Sequence, residues 1–125
     1  MARTVLAVDD DPFTIKALER YLCPEGLQVV SAATGESALS RLNEGGVDLV
    51  ILDLNLPKMD GFEVCRRIKT GEATRLVPVI MLTAAYVDAG NQQRGYEAGA
   101  DAYMAKPFLR RALLHNVRTL LGEDG

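Results

Sequence analysis

The stretch Val47-Asp48-Leu49-Val50-Ile51-Leu52-Asp53-Leu54-Asn55-Leu56-Pro57 decides the fold. Its core is an almost unbroken run of β-branched and leucine residues, the pattern of a strand covered on both faces, hence a central strand of a parallel sheet. Asp53 closes the run. A carboxylate in mid-strand would be a costly buried charge, whereas one at the strand's carboxyl end lies in the crevice where open α/β sheets bind ligands. Asp53 is therefore read as the reactive group.

Outward from this strand, the chain alternates. Thr4 to Val8 forms a short first strand that stops at Asp9-Asp10-Asp11-Pro12, where Asp11 caps a helix and Pro12 suits its first position. Ile15, Leu18, Tyr21 and Leu22 give that helix its apolar face, and Pro24-Glu25-Gly26 ends it. A second strand is expected over Leu27 to Ala33. A second helix follows from Thr34-Gly35-Glu36-Ser37 to Gly45-Gly46. Beyond the central strand, Pro57-Lys58-Met59-Asp60-Gly61 reads as a shaped loop, with Asp60 capping a third helix that runs to about Thr70. Val77 to Leu82 is a second doubly buried strand, ending at Thr83-Ala84-Ala85. Residues Tyr86 to Gly99 suit a fourth helix, expected to be the least stable because Gly90 and Gly95 each cost about 1 kcal/mol relative to alanine. Ala102 to Ala105 is the last strand, Lys106-Pro107 a turn, and Phe108 to Leu121 the last helix.

Five strands alternating with five helices predict a doubly wound α/β three-layer sandwich with a parallel sheet, as one domain over residues 1–125 with its core in 3–121. At 125 residues the chain can bury a core without metal or disulfide staples, so Cys23 and Cys65 are expected as reduced thiols. The apolar start Val5 to Val8 runs straight into aspartates, so neither a signal peptide nor a membrane span is expected, and the expected location is cytoplasmic. A net charge of −3 argues against direct nucleic-acid binding by this domain.

Asp9, Asp10, Asp53, Thr83 and Lys106 all fall at carboxyl ends of strands, hence along one edge of the sheet. Three carboxylates gathered there repel one another unless protonated or joined by a cation. An all-oxygen set with room for water selects a hard ion, Mg²⁺ in preference to Ca²⁺. The Lys106 ammonium and the Thr83 hydroxyl suit a phosphoryl group, whose transfer spreads negative charge over its equatorial oxygens. Asp53 would then be the nucleophile, forming an aspartyl phosphate.

Asp9-Asp10, Asp53 ahead of Pro57-Lys58-Met59-Asp60-Gly61, Thr83-Ala84 and Lys106-Pro107-Phe108, in this order, closely resemble the receiver domain of bacterial two-component response regulators. The likeness covers residues 3 to 121. It implies a flavodoxin-like sheet of order 2-1-3-4-5 and a phosphoryl group taken by Asp53 from the phosphohistidine of a histidine kinase or phosphotransfer protein. By the same resemblance Asp10 and Asp53 ligate Mg²⁺ or Mn²⁺ directly, Asp9 acts through water and Asn55 through its backbone carbonyl. Thr83 and Lys106 bind the phosphoryl oxygens, Tyr103 is the aromatic that turns inward as the threonine moves, and Lys106-Pro107 is cis. Output through the fourth helix, last strand and final helix, to an output domain, an effector protein or a second copy, is implied as well. Asn55 and Ala85 would flank the path of the hydrolytic water.

One departure stands out. Many receivers carry a polar cap after Pro-Phe, but here Leu109 is followed by Arg110 and Arg111, positive charge at the positive end of a helix. These two and Arg118 are expected to contribute to a partner-facing surface. His115, the only histidine, is expected to be a surface or packing residue. Two other functions fit the same architecture. A small aspartyl-phosphate-type phosphohydrolase would need an acid/base carboxylate two residues after Asp53, where Asn55 stands, and a flavin or nucleotide carrier would need a glycine-rich phosphate loop.

Overall fold

The computed structural model describes residues 2–83 and 89–122. The elements in order are β1 (Thr4–Val8), α1 (Pro12–Leu22), a 3₁₀ turn (Cys23–Glu25), β2 (Gln28–Ala32), α2 (Gly35–Asn43), β3 (Leu49–Asp53), α3 (Gly61–Thr70), β4 (Val79–Thr83), α4 (Ala89–Glu97), β5 (Ala102–Ala105) and α5 (Arg110–Leu120). All strand pairs are parallel, in the order β2-β1-β3-β4-β5. Every residue of β1, β3 and β4 is buried. The unbroken apolar run of the central strand is therefore what a strand with helices on both faces requires.

Alternate residues feed two cores. Leu6, Val50, Leu52 and Met81 pack with α2 and α3 on one face through Leu42, Val64 and Ile68. Val5, Ala7, Ile51 and Ile80 pack with α1 and α5 on the other through Leu18, Leu22, Leu113 and Val117. Each fully buried aliphatic side chain is worth about 1.5–3 kcal/mol relative to exposure, which ties the layers to the strands that carry the acidic edge.

Local chemistry sets the element ends. The Asp11 carboxylate accepts from the Phe13 N–H at 3.0 Å, with Pro12 at the first helical position. Asp60 accepts from the Glu63 N–H at 2.8 Å at the start of α3. Both caps are those the sequence indicates. At the end of α2, Gly45 and Gly46 both have φ of 82° and turn the chain back toward β3.

β4 begins at Val79 rather than Val77, because Pro78 has no N–H to give and enters the ladder only by accepting from the Val50 N–H at 2.9 Å. α5 begins at Arg110 rather than Phe108. Phe108 instead meets the Tyr21 ring edge-to-face at 6.1 Å, and Leu109 stands at the cap position with no side-chain bond. The charge that start lacks comes from elsewhere. Arg110 donates to Glu25 at 2.9 Å, and Arg118 pairs with the same carboxylate. Both therefore bind their own chain's 3₁₀ turn, with the Arg110 side chain still 54% exposed. Arg111 and His115 are exposed.

Cys23 and Cys65 are free thiols. Burial pushes the Cys65 thiol up to about 11, so it stays protonated at neutral pH. The expected start of the fourth helix at Tyr86, along with Ala84 and Ala85, lies outside the described residues. No helix among the described residues is long and apolar enough to cross a membrane.

The loop after β3 is held by close backbone contact. Gly61 donates to the Leu54 carbonyl at 3.0 Å. A Cβ at Gly61 would lie 2.7 Å from the Asp53 carbonyl oxygen and 2.8 Å from Leu54 Cα. Neither backbone atom can yield without moving Asp53. We expect Gly61→Ala to cost about 2 kcal/mol, within the range for overpacking a well-packed site, measurable as a lower midpoint in urea with an unchanged slope.

Candidate functional site

Strand register places the acidic residues. Val8 pairs with Leu52, so the residues that follow, Asp9 and Asp53, leave the sheet side by side. Asp53 pairs with Leu82 and Thr83 with Ala105, which brings Thr83 and Lys106 onto the next two strand ends. Residues 9, 53, 83 and 106, scattered along the chain, thus share one edge because four parallel strands end there.

Within that edge, carboxylate oxygens of Asp9, Asp10 and Asp53 lie within 4.8 Å of one another. Asp9 and Asp53 are each 4% exposed, while Asp10 faces solvent. Asp9 accepts from the Asp11 N–H at 2.9 Å with one oxygen and from Lys106 Nζ at 2.7 Å with the other. Lys106 Nζ is also 3.4 Å from Asp53 Oδ1. That oxygen is buried and has no aligned hydrogen bond, so its contact with the ammonium is Coulombic in character. Thr83 is buried. Lys106 N–H donates to the Thr83 carbonyl at 2.7 Å, and the Lys106-Pro107 peptide is cis.

The electrostatics follow from this crowding. Burial, then the charge of Asp9, holds the Asp53 carboxyl above its ordinary range, against the opposing pull of Lys106 and the Asn55 backbone N–H. Burial works against the charge on Lys106, but its bond to Asp9 and the field of Asp53 outweigh that and hold the ammonium above its ordinary range. One ammonium among three carboxylates leaves an excess of negative charge. A divalent cation coordinated by oxygen fits this donor set, and Asp10 is the member open to solvent through which it would enter.

Tyr103 is half-buried, and α4 lies directly on it. A Cβ at Gly95 would approach the Tyr103 ring to 2.9 Å and Met81 Sδ to 3.3 Å. The glycine read in the sequence as a weakness of the fourth helix is therefore the residue that lets this helix sit against the aromatic. Asn55 is exposed, and its backbone N–H faces Asp53. Beside Lys106 an open groove of about 460 Å³ runs between α1 and the turn before α5, lined by Phe13, Ala17, Tyr21, Pro107 and Phe108. Phe13 is 80% exposed at its rim.

Sequence reasoning missed three contacts of this neighbourhood. Gly61 beneath Asp53 is signalled by Asp60-Gly61, which the sequence shows only as a shaped loop with a helix cap. The seat of Tyr103 on Gly95 and the Arg94 guanidinium over the Phe62 ring join residues of different elements, which no periodic pattern within one element shows.

Comparison with known proteins agrees with this geometry. The family model described as the response regulator receiver domain matches residues 5–118. The transcriptional regulatory protein GltR of Pseudomonas aeruginosa is 42% identical over 119 residues, covering 95% of this chain and 49% of its own length. The transcriptional regulatory protein ResD of Bacillus subtilis is 41% identical over 117 residues, covering 94% and 47%. The chain spans about half the length of these curated relatives. Among solved structures, the receiver domain of the sensor histidine kinase PA1611 of Pseudomonas aeruginosa superimposes with a TM-score of 0.88 at 31% identity, covering 98% of this chain and 100% of that one, and it holds a magnesium ion in its active site cleft.

Proposed function

This chain belongs to the response regulator receiver family, and from that membership we propose a division of labour among its residues. Asp53 is the phosphoacceptor. One of its carboxylate oxygens attacks the phosphorus of a phosphohistidine on a histidine kinase or phosphotransfer protein, the P–N bond breaks, and the imidazole leaves with its electron pair and takes up a proton. An acyl phosphate remains on Asp53. In the reverse sense, attack by water on that phosphorus returns the carboxylate and inorganic phosphate, so the chain catalyses its own loading and unloading without turning over a metabolite.

Lys106 and Thr83 hold the phosphoryl oxygens. The ammonium that now bridges Asp9 and Asp53 is already within 3.4 Å of the acceptor oxygen, so it needs little reorganisation to meet incoming charge. Asp9, Asp10, Asp53 and the Asn55 carbonyl hold Mg²⁺ or Mn²⁺, which when bound neutralises the clustered negative charge. Drawing Thr83 toward the phosphoryl group lets Tyr103 turn inward and repositions the face made by α4, β5 and α5, a two-state equilibrium biased by one local charge. That face addresses an output domain, an effector or a second copy, in the cytoplasm. The open edge at Asp10 and Phe13 is the donor's approach.

The observation that carries this reading is the meeting of three carboxylates and one ammonium, with the buried Thr83 at the neighbouring strand end. Adding beryllofluoride, a mimic of the phosphoryl group, together with Mg²⁺ tests it. Binding at a stoichiometry of one is expected by calorimetry, with a change in sedimentation if the output is self-association. Absence of binding by the folded protein would reject the assignment.

A further inference from the structure

We propose that Arg94 is a positioning residue that latches α4 to the start of α3 before phosphorylation and so sets how readily the site is loaded. This inference rests on the reading of Asp53 as acceptor given above.

The Arg94 guanidinium carbon lies 4.1 Å from the centroid of the Phe62 ring, well inside the range in which a ring face holds a cation. Phe62 is buried as the second residue of α3. Gly61, just before it, is pressed against the backbone of Asp53 and Leu54. The ring is thus anchored to the strand end that bears the acceptor, and Arg94 reaches that anchor from α4. The next residue, Gly95, rests on Tyr103. Two consecutive residues of α4 therefore touch the two sides of the apparatus: the loop after Asp53 through Phe62, and the inward-turning aromatic of β5.

Beyond its C-terminal end α4 is fixed. A Cβ at Gly99 would strike Lys69 at 2.7 Å. Lys69 pairs with Asp101 at 2.7 Å, and Asp101 accepts from the Val79 N–H at 2.8 Å. With that end tied to α3 and β4, a displacement of α4 pivots there and separates contacts nearer the middle, of which Arg94 on Phe62 is the charged one. The Lys106 ammonium is taken up by Asp9 and Asp53, and an incoming phosphoryl group would compete for it. On the movement of α4 proposed above, a contact that the movement breaks opposes loading by its own free energy, and removing it raises the apparent affinity for any ligand that prefers the other state.

The sign separates this role from two simpler ones. Loss of a positive charge would by itself weaken binding of an anion, and a purely structural contact would lower the melting temperature without improving affinity. The latch predicts tighter binding.

Titration with beryllofluoride and Mg²⁺ on the wild type, Arg94→Gln, Arg94→Lys, Phe62→Leu and the double variant Phe62→Leu/Arg94→Gln tests the latch, with thermal melts alongside. Arg94→Gln and Phe62→Leu should each tighten binding about two- to fivefold, the range expected for one exposed cation–π contact. The double variant should gain no more than either single one, and Arg94→Lys, which keeps a cation over the ring, should stay near wild type. Unchanged or weaker binding by Arg94→Gln, or additive gains in the double variant, would overturn the latch. Arg94 is exposed, so its variants report even if Phe62→Leu does not fold. A wild type that fails to bind removes the acceptor reading and the latch together. A wild type that binds, with variants that match it, removes the latch alone.

Discussion

Asp53→Asn is expected to abolish labelling by a small-molecule phosphodonor in Mg²⁺, a fall of at least about a hundredfold read by intact-protein mass or by acid-labile phosphate. The amide keeps the shape and much of the hydrogen bonding of the carboxyl but has no nucleophilic oxygen anion. Labelling of the variant to the wild-type level would place the acceptor elsewhere. The same change should make the protein more stable, which sets it apart from a loss through misfolding. Because Asp53 has its folded-state pKa held above the ordinary value of 3.8, the folded chain binds its proton more tightly than the unfolded chain. The associated stability is fully present below the unfolded value and is lost as pH rises through the folded one, so at neutral pH ionised Asp53 is a net cost. We expect Asp53→Asn to melt higher at pH 7 by an amount on the order of 1 kcal/mol, about 4 °C, with the difference shrinking as pH falls toward 4. An unchanged difference across that range would mean that burial and Asp9 do not act on Asp53 as the structure indicates.

Removal of divalent metal is the second large effect. With excess chelator, the labelling rate of the wild type should fall by about 10²–10³-fold, equivalent to about 3–4 kcal/mol of charge stabilisation in the transition state. The stability readout is independent of turnover. Mg²⁺ at about a hundred times its dissociation constant should add about 2.7 kcal/mol by mass action. Asp10→Asn, which alters the solvent-facing member of the acidic set, should blunt both effects. Labelling that proceeds undiminished in chelator would mean that Lys106 alone suffices to neutralise the site.

Much of this was legible before any coordinates, and the reason is local. β3 announces itself because a strand buried on both faces must be apolar at every position, and Asp53 stands out where that demand stops. Asp9 and Thr83 are legible in the same way, each as the first polar residue beyond or at a fully buried strand's end, and Lys106 as the charge that follows the half-buried β5. Asp11 and Asp60 declared their helices because a cap acts within three residues.

What stayed hidden is non-local or depends on shape. Glu25 meets Arg110 and Arg118 across separations of 85 and 93 residues, so no local pattern shows that the two share one carboxylate of their own chain. The sequence pattern starts α5 two residues early because Phe108 looks helical by type, while its ring is drawn to Tyr21. Gly95 was weighed for its helix propensity, a cost of about 1 kcal/mol, when what decides its presence is the lack of space above Tyr103. Asn55, exposed and two residues after Asp53, offers no carboxylate, so the phosphohydrolase alternative is not favoured.

The pair of glycines that ends α2 has a practical corollary. Gly45 and Gly46 lie where the chain enters β3, a strand's length from the chemistry, and a side chain added at either would touch nothing within 4 Å. That corner is the place to splice in a reporter peptide or tether the molecule to a sensor surface, provided both left-handed glycines are kept, because foreign sequence between them would start in open space away from the acidic edge.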